Sequence, residues 1–327
     1  MENGAVMHGL ALHLDALDAA LGTRADTVLL DYPVAENIGD FLIHVGTERH
    51  LATRGHRLVA SYSGFNFDPR RTAIPPRAVI LIQGGGNFGD LWPDHQALRE
   101  GVIARYPDHR IVSLPQTIHF GSDSACRAAM QLVRSHRHLT VCARDEDSWK
   151  LLRAAGVANA MLLPDMAHAL WGAWMPMPAD PGGTLTMRRR DVERPLDAPP
   201  APESRDWPDA WDRLDRLLFR AARKLHVLDG RLGNVLPVAG PWRRLRDHLV
   251  ARGVAMLRPH AVVSTDRLHV MLLALLLDRR VEVHDNSYGK LGRYIATWLA
   301  ANGNVSRAPA PPDRRAAATP EGEGRGR

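Results

Sequence analysis

The chain is poor in cysteine, with only Cys126 and Cys142 in 327 residues. They form no CxxC pair and stand at no cysteine–histidine ligand spacing. Neither a disulfide framework nor a zinc site is therefore indicated, and two ordinary buried thiols are expected. Long apolar runs are missing as well. The longest, LHVMLLALLL at 268–277, is half the roughly 20 residues that cross a bilayer, and Arg267 and Asp278 flank it, so it reads as a buried helix. The first residues show no basic segment followed by an apolar stretch and a small-residue cleavage site. A cytoplasmic location is expected, with the inner face of the membrane as a place of peripheral contact. No clustering of metal ligands is apparent, and neither a metal nor a resident cofactor is expected.

What is present is a globular composition, 45% hydrophobic and 24% charged, in a chain long enough for two domains. The net charge of +6 is spread along the sequence without an aromatic-interleaved basic motif, so a nucleic-acid partner is not expected. Anionic small molecules, or a phosphate-bearing or membrane-surface acceptor, fit that charge. Arg213, Arg216, Arg220, Arg223 and Lys224 lie opposite Trp207, Trp211, Leu214, Leu218, Ala221 and Leu225 at helical spacing. The favoured reading is a solvated helix face; docking on an anionic membrane surface is the alternative.

From residue 26 short apolar strands alternate with helices: DTVLLDY, a helix to about Arg54, RLVAS, AVILI, a helix over 94–106, RIVSL, a helix over 122–137, LTVCA, a helix over 145–155 and AMLLP. Such alternation implies parallel βαβ units. The proline- and glycine-dense WGAWMPMPADPGG at 171–183 marks a domain boundary. Beyond it TLTMRR, helices near 207–225 and 241–252, AVVST, a helix, VEVHD and a last helix near 288–302 form a smaller second βα region. Residues 226–240 carry no assignable pattern. The expected division is 1–175 and 183–305, with a disordered tail over 306–327.

The unusual stretches fall after strands, where parallel sheets gather their ligands. QGGGNFGDLW at 83–92 contains Gly84, Gly86 and Gly89 in the spacing G-x-G-x-x-G. The next strand ends without an acidic residue for a ribose, which disfavours a nicotinamide cofactor, and no Lys-Ser or Lys-Thr follows to make a phosphate loop. Instead Asn87 and Asp90 stand beside glycine, as Asn37, Gly39 and Asp40 do in ENIGD. Amide and carboxylate groups suit sugar hydroxyls. Turn-making and helix-capping are the plainer use of such residues; two similar loops tip the reading towards a sugar. Asp145 suits a helix cap while Arg144 faces the cleft, with a surface ion pair as the alternative. In STDRLH, Ser264, Thr265 or Asp266 can cap a helix whose first turn holds Arg267 and His269, a setting for an anion. VEVHDNSYGKL places Asn286, Ser287, Tyr288 and Lys290 at a neighbouring helix start, so a small ligand with two anionic groups is expected.

Taken together, N-x-G-D, GGGNFGDLW, SLPQTIxF, ARD, STDRLH and DNSYGKL, spread over about 26–300, resemble the polysaccharide pyruvyl transferase family. That resemblance implies two Rossmann-like domains facing across a cleft, similar to the B-type glycosyltransferase fold. It also implies transfer of pyruvate from phosphoenolpyruvate to two hydroxyls of a sugar, as a cyclic ketal, in exopolysaccharide or cell-surface glycan synthesis. Arg267 and His269 match the family's donor-binding Arg-Leu-His motif, and Arg189 in RRRDVE looks like its Arg-x-Asp-x-Glu segment. Lys290, Arg144 and Asn286 join the expected donor side. By similarity Asn37, Asp40, Gly85, Gly86, Asn87, Asp90 and Gln116 line the acceptor side. His269 is the expected acid, Asp40 or Asp90 the base, and Arg267 with Lys290 the stabilisers of departing phosphate. A sugar-nucleotide glycosyltransferase of the same architecture and a non-catalytic glycan-binding assembly protein are the rival readings.

Overall fold

The computed structural model describes residues 1–175, 181–191, 203–285 and 289–307. Its first sheet holds β1 (Asp26–Tyr32), β2 (Arg57–Ser63), β3 (Val79–Ile82), β4 (Gly85–Gly89), β5 (Ile111–His119), β6 (Leu139–Ala143) and β7 (Ala160–Leu162). These lie in the order β2-β1-β3-β5-β6-β7, with β4 on β5, and every pairing is parallel. The helices around it are α1 (Asn3–His13), α2 (Asp18–Leu21), α3 (Ile38–Thr53), α4 (Pro93–Arg105), α5 (Asp123–Ser135) and α6 (Glu146–Ala154). The second sheet, also parallel, runs β11-β10-β9-β8 and comprises β8 (Thr184–Met187), β9 (Val262–Thr265), β10 (Arg280–Val283) and β11 (Val305–Arg307). With it come α7 (Arg213–Leu232), α8 (Ala239–Leu257), α9 (Leu268–Leu276) and α10 (Lys290–Tyr294). The α/β class with parallel sheets is thus as the sequence implied.

Strand composition explains the layering. In β1 the odd and even residues enter different cores: Val28 and Leu30 join Ile80, Ile82 and Val141 on one face, while Leu29 joins Leu81, Val112 and Cys142 on the other. A parallel strand buried on both faces can be apolar at every position, which is why these runs do not alternate with polar residues. The second of these cores continues through α3, the 3-10 turn Met166–Leu170, α8 and α9 to the second sheet. Gly46 permits the close pass of α3 over that turn, since a Cβ there would overlap the Met166 carbonyl. Buried on all sides, α9 accounts for the unbroken run at 268–277. Cys142 is buried, whereas Cys126 is only partly so, and both are free.

Several elements differ from the sequence expectation. The glycine-rich stretch is not all loop: Gly85–Gly89 pairs with β5, Gly85 opposite Gln116 and Phe88 opposite Ile118. α7 starts after a separate 3-10 turn at Trp207–Ala210 and runs on to Leu232, where Gly233 stops it in the left-handed region at φ 81°. It thereby occupies part of the unassigned 226–240. Ser306 and Arg307, expected in the tail, belong to β11. The rest of that tail, part of the expected boundary segment and Asn286, Ser287 and Tyr288 lie outside the described residues.

Two buried histidines couple this packing to pH. Burial pushes His44 on α3 and His168 on the 3-10 turn down to about 4, from an ordinary 6.5. Between those values each is neutral in the folded chain and protonated in the unfolded chain. The unfolded state then binds more protons, and stability falls as pH drops through that window. Urea midpoints measured from pH 7 to pH 4.5 are expected to decline, by up to about 1.4 kcal/mol per pH unit for each histidine; a flat profile would contradict the assignment.

Candidate active site

Asp165, three residues past the end of β7, is fully buried, and side chains that follow strands of both sheets converge on it. Arg144 at the end of β6 donates Nη1–H to Asp165 Oδ2 at 2.6 Å. His269 Nε2, from the first turn of α9, lies 3.3 Å from the same oxygen. The backbone N–H of Ala167 donates to Oδ1, and the Tyr294 hydroxyl accepts from the Asp165 N–H. Burial alone would raise the carboxyl, but the charges of His269 and Arg144 and the Ala167 N–H hold it well below the usual carboxylate range. An ionised carboxylate therefore sits at the carboxyl ends of both sheets.

Arg144 is fully buried, and its Nε donates to Thr117 Oγ1 at 3.0 Å. Its third donor nitrogen, Nη2, is buried without a hydrogen-bond partner among the described residues. It comes within 3.1 Å of where a Cβ on Gly86 would stand, and Lys290 Nζ occupies that same space. Gly39, at the start of α3, plays the same part for His269: a Cβ there would lie 2.8 Å from Nδ1. Two glycines thus admit three cationic or protonatable side chains, Gly86 admitting Arg144 and Lys290 and Gly39 admitting His269. Lys290 is buried, at the start of α10, where the Asp285 carboxylate accepts from the N–H groups of Leu291 and Gly292. An incoming anion would supply the acceptor that Arg144 Nη2 lacks among the described residues.

The other glycines of the expected sugar loop are spoken for by the protein itself. A Cβ on Gly84 would sit 2.8 Å from the Pro115 carbonyl oxygen, and one on Gly89, at φ 144°, would overlap the His119 carbonyl. Gly85, at φ 129°, faces Ile43. The bare backbone therefore serves strand β4 and the approach of Lys290 and Arg144 more directly than the approach of a sugar ring.

Other expected site residues are occupied by internal partners. Arg267 does not turn towards Arg144 and Lys290: its guanidinium pairs with Asp206 at 2.6 Å and with Asp191 at 3.0 Å. Arg189 pairs with the same Asp191 at 2.8 Å, so the Arg-x-Asp segment closes on itself. Gln116 is fully buried, accepting from Arg99 at 3.0 Å and donating to the Gln83 carbonyl at 2.7 Å. Arg99 also donates to Asn87 Oδ1 at 2.8 Å, which fixes that amide. Asp90 accepts from the backbone N–H groups of Gly121 and Ser122 at 2.8 and 2.9 Å. Those N–H groups hold its carboxyl below the ordinary range, so Asp90 acts as a loop clamp and is a poor base. Asn37 caps α3 through Gly39 N–H and donates to Asp40 at 2.8 Å, leaving Asp40 half-buried at the mouth of the site.

Next to Asp40 is a pair that the sequence reading missed. His95 Nδ1, near the start of α4, is 2.7 Å from Asp31 Oδ2, and Asp31 is buried at the end of β1 in the left-handed region at φ 65°. A non-glycine residue there is uncommon and marks an over-determined position. Burial works against a charged His95, but the hydrogen bond and charge of Asp31, with Asp40 adding to them, raise its pKa above the ordinary value. The only sequence signal was a histidine shortly after the glycine-rich stretch, which alone carries little weight.

Comparisons with known proteins identify the family to which the chain belongs. The family model for polysaccharide pyruvyl transferases matches residues 37–281. EpsO of Bacillus subtilis, a pyruvyl transferase by assignment, is 33% identical over 302 residues, covering 91% of this chain and 93% of that protein. Pyruvyl transferase 1 of Schizosaccharomyces pombe is 29% identical over 284 residues, covering 83% of this chain and 69% of that protein. The crystal structure of a functionally uncharacterised protein from Klebsiella pneumoniae superposes with a TM-score of 0.62 at 17% identity, covering 93% and 99% of the two chains, and so shares the fold. With a model match across most of its length and a relative above 30% identity, the chain belongs to the polysaccharide pyruvyl transferase family.

Proposed function

We propose that the protein transfers pyruvate from phosphoenolpyruvate to two hydroxyls of one sugar in a cell-surface glycan, forming a cyclic ketal and releasing phosphate. The observation that carries the reading is Arg144 Nη2, buried and without a hydrogen-bond partner among the described residues, near Lys290, with His269 on the same Asp165 oxygen that Arg144 holds. Phosphoenolpyruvate places a phosphate and a carboxylate on a three-carbon frame, and bidentate or paired cationic contacts suit both groups. The two sheets act as donor and acceptor halves, 183–305 and 1–175, in an arrangement like the B-type glycosyltransferases. The acceptor enters past Asn37, Asp40, Gly86 and Asn87. This places the work in the cytoplasm, where phosphoenolpyruvate is available, and requires no metal or resident cofactor.

In the first step a proton passes to the methylene carbon of the enol, and the resulting oxocarbenium-like centre is attacked by one sugar hydroxyl. A second hydroxyl then displaces phosphate. One proton is taken up at carbon, two leave the hydroxyls and one departs with phosphate, so the sequence balances. His269 is the acid, returned to its protonated state from the hydroxyls by way of the site. Asp165 holds the imidazole, and Arg144 with Lys290 stabilise charge on the phosphate as it leaves. Asp40, beside the Asp31–His95 pair, receives a hydroxyl proton in place of Asp90. Arg267 and Arg189, closed on Asp191 and Asp206, shape the rim of the donor side.

Incubation with phosphoenolpyruvate and lipid-linked or nitrophenyl sugars should release phosphate only when both substrates are present, with one ketal formed per phosphate. Competition by a nucleoside diphosphate would favour a glycosyltransferase, and glycan binding without phosphate release would favour an assembly protein. The variant His269→Ala should lose about 10²- to 10⁴-fold in kcat while the KM for phosphoenolpyruvate stays within a few-fold. Undiminished turnover would remove His269 as the acid.

A further inference from the structure

Helix α7 has three faces where the sequence predicted two. At 100° per residue, Asp215, Phe219, Ala222, His226 and Asp229 form the side held by the body of the protein. Phe219 packs on Trp211 and Trp242, His226 bonds to the Tyr32 hydroxyl at 2.8 Å, and Asp229 accepts from Asn66 at 2.8 Å. The leucines do not share that side. Leu214, Leu217, Leu218, Leu225, Leu228 and Leu232 lie in the adjoining sector, from 44% exposed at Leu218 to 61% at Leu214. The third sector, along the outer border of the leucines, carries the exposed Arg213, Arg220, Lys224 and Arg231. Both acids within the helix are buried on the body side: Asp215 is held by His248 and Arg252, and Asp229 caps the following turn at the Leu236 N–H. The outward surface of α7 is therefore leucine bordered by base, with no acid among them.

A stripe of this size is rare on a free surface and calls for a cover. Its spacing, Leu214, Leu218, Ala221, Leu225, Leu228, Leu232, would suit a helix of a second copy, but the flanks do not. In an antiparallel pair the rows holding Lys224 and Arg231 would face each other, base against base. In a parallel pair each such row would face Asp215, Ala222 and Asp229, which the partner's own body already covers. A planar anionic surface satisfies both sectors at once: leucines enter the acyl boundary while the bordering arginines and lysine meet phosphate headgroups.

We propose that α7 is an interfacial helix that docks the protein on an anionic lipid membrane through its leucine stripe and basic border. The helix is tied by Tyr32 and Asn66 to the carboxyl ends of β1 and β2, the end that also carries Asn37 and Asp40. Docking thus brings the acceptor side of the cleft down to the membrane plane, where a lipid-linked glycan would present its sugars. That last consequence rests on the function proposed above; the docking does not.

Co-sedimentation of the full chain with phosphatidylcholine vesicles, with and without phosphatidylglycerol, separates the two. The wild-type protein should pellet with the anionic vesicles and far less with neutral ones, and added salt should release it. Two variants at exposed positions test the two sectors: Leu218→Asp with Leu225→Asp, and Arg220→Glu with Lys224→Glu. The charge variant should weaken the partition by roughly thirtyfold or more, the loss of about two base-to-lipid attractions, and the leucine variant should abolish it. Both should keep the wild-type circular dichroism and melting temperature. Wild-type protein left in the supernatant, or variants that bind as well as wild type, would overturn the proposal. So would a dimer in sedimentation velocity that the leucine variant dissolves without any vesicle binding. Vesicle binding with no phosphate release would instead leave the docking standing and remove the pyruvyl transfer.

Discussion

A single buried carboxylate organises the centre of this protein. Asp165 has no solvent to stabilise its charge, so it must be surrounded by donors or forfeit ionisation. The chain meets that demand with groups from distant parts of the sequence: Arg144 from the first sheet, His269 from the second, and the Ala167 N–H from the turn between. Tyr294 adds a further tie, since its hydroxyl contacts both the Asp165 N–H and His168. The same carboxylate that fixes how the two sheets meet also fixes the position of the two side chains best suited to chemistry. Removing Arg144 or His269 would leave the buried charge with fewer partners, a cost of up to about 3–5 kcal/mol by comparison with simple buried pairs.

Backbone space decides which cationic and protonatable groups can enter this region. Gly86 admits Lys290 and Arg144, and Gly39 admits His269. The glycines of this fold thus act less as flexible elements than as missing side chains, each vacated volume being taken by a named functional group. A site built this way is pre-organised, because its cations are buried and held by packing before a ligand arrives. Arg267 shows the contrary arrangement: paired with Asp191 and Asp206, its charge is already spent.

Much of the fold was legible in the sequence because its signals are local. The parallel strands are short apolar runs between turn residues, and β1 and β6 fall on the residues predicted, Asp26–Tyr32 and Leu139–Ala143. Of the candidate site, the positions of Arg144, His269 and Lys290 were legible, since each follows a strand end and precedes or opens a helix. Asp165 was not, because a lone aspartate after AMLLP resembles any strand exit; its meaning comes from partners some 20 and 100 residues away. Gln116 and Asn87 looked available for the same reason in reverse: Arg99, which occupies them, is on a helix whose pattern gives no hint of its aim. Leu214, Leu218 and Leu225 of α7 were read by periodicity as the face opposite the bases. Periodicity reports an apolar face and says nothing of what that face touches.

The candidate site gathers positive charge inward on buried residues, and α7 displays it outward beside leucine. A crystal structure with phosphoenolpyruvate bound would test the central assignment most directly. An anionic group of the ligand within hydrogen-bond distance of Arg144 Nη2 and Lys290 Nζ, with the methylene carbon towards His269, is the predicted result. A ligand seated instead on Arg267 with Asp191 and Asp206 displaced, leaving Arg144 Nη2 unpartnered, would contradict it.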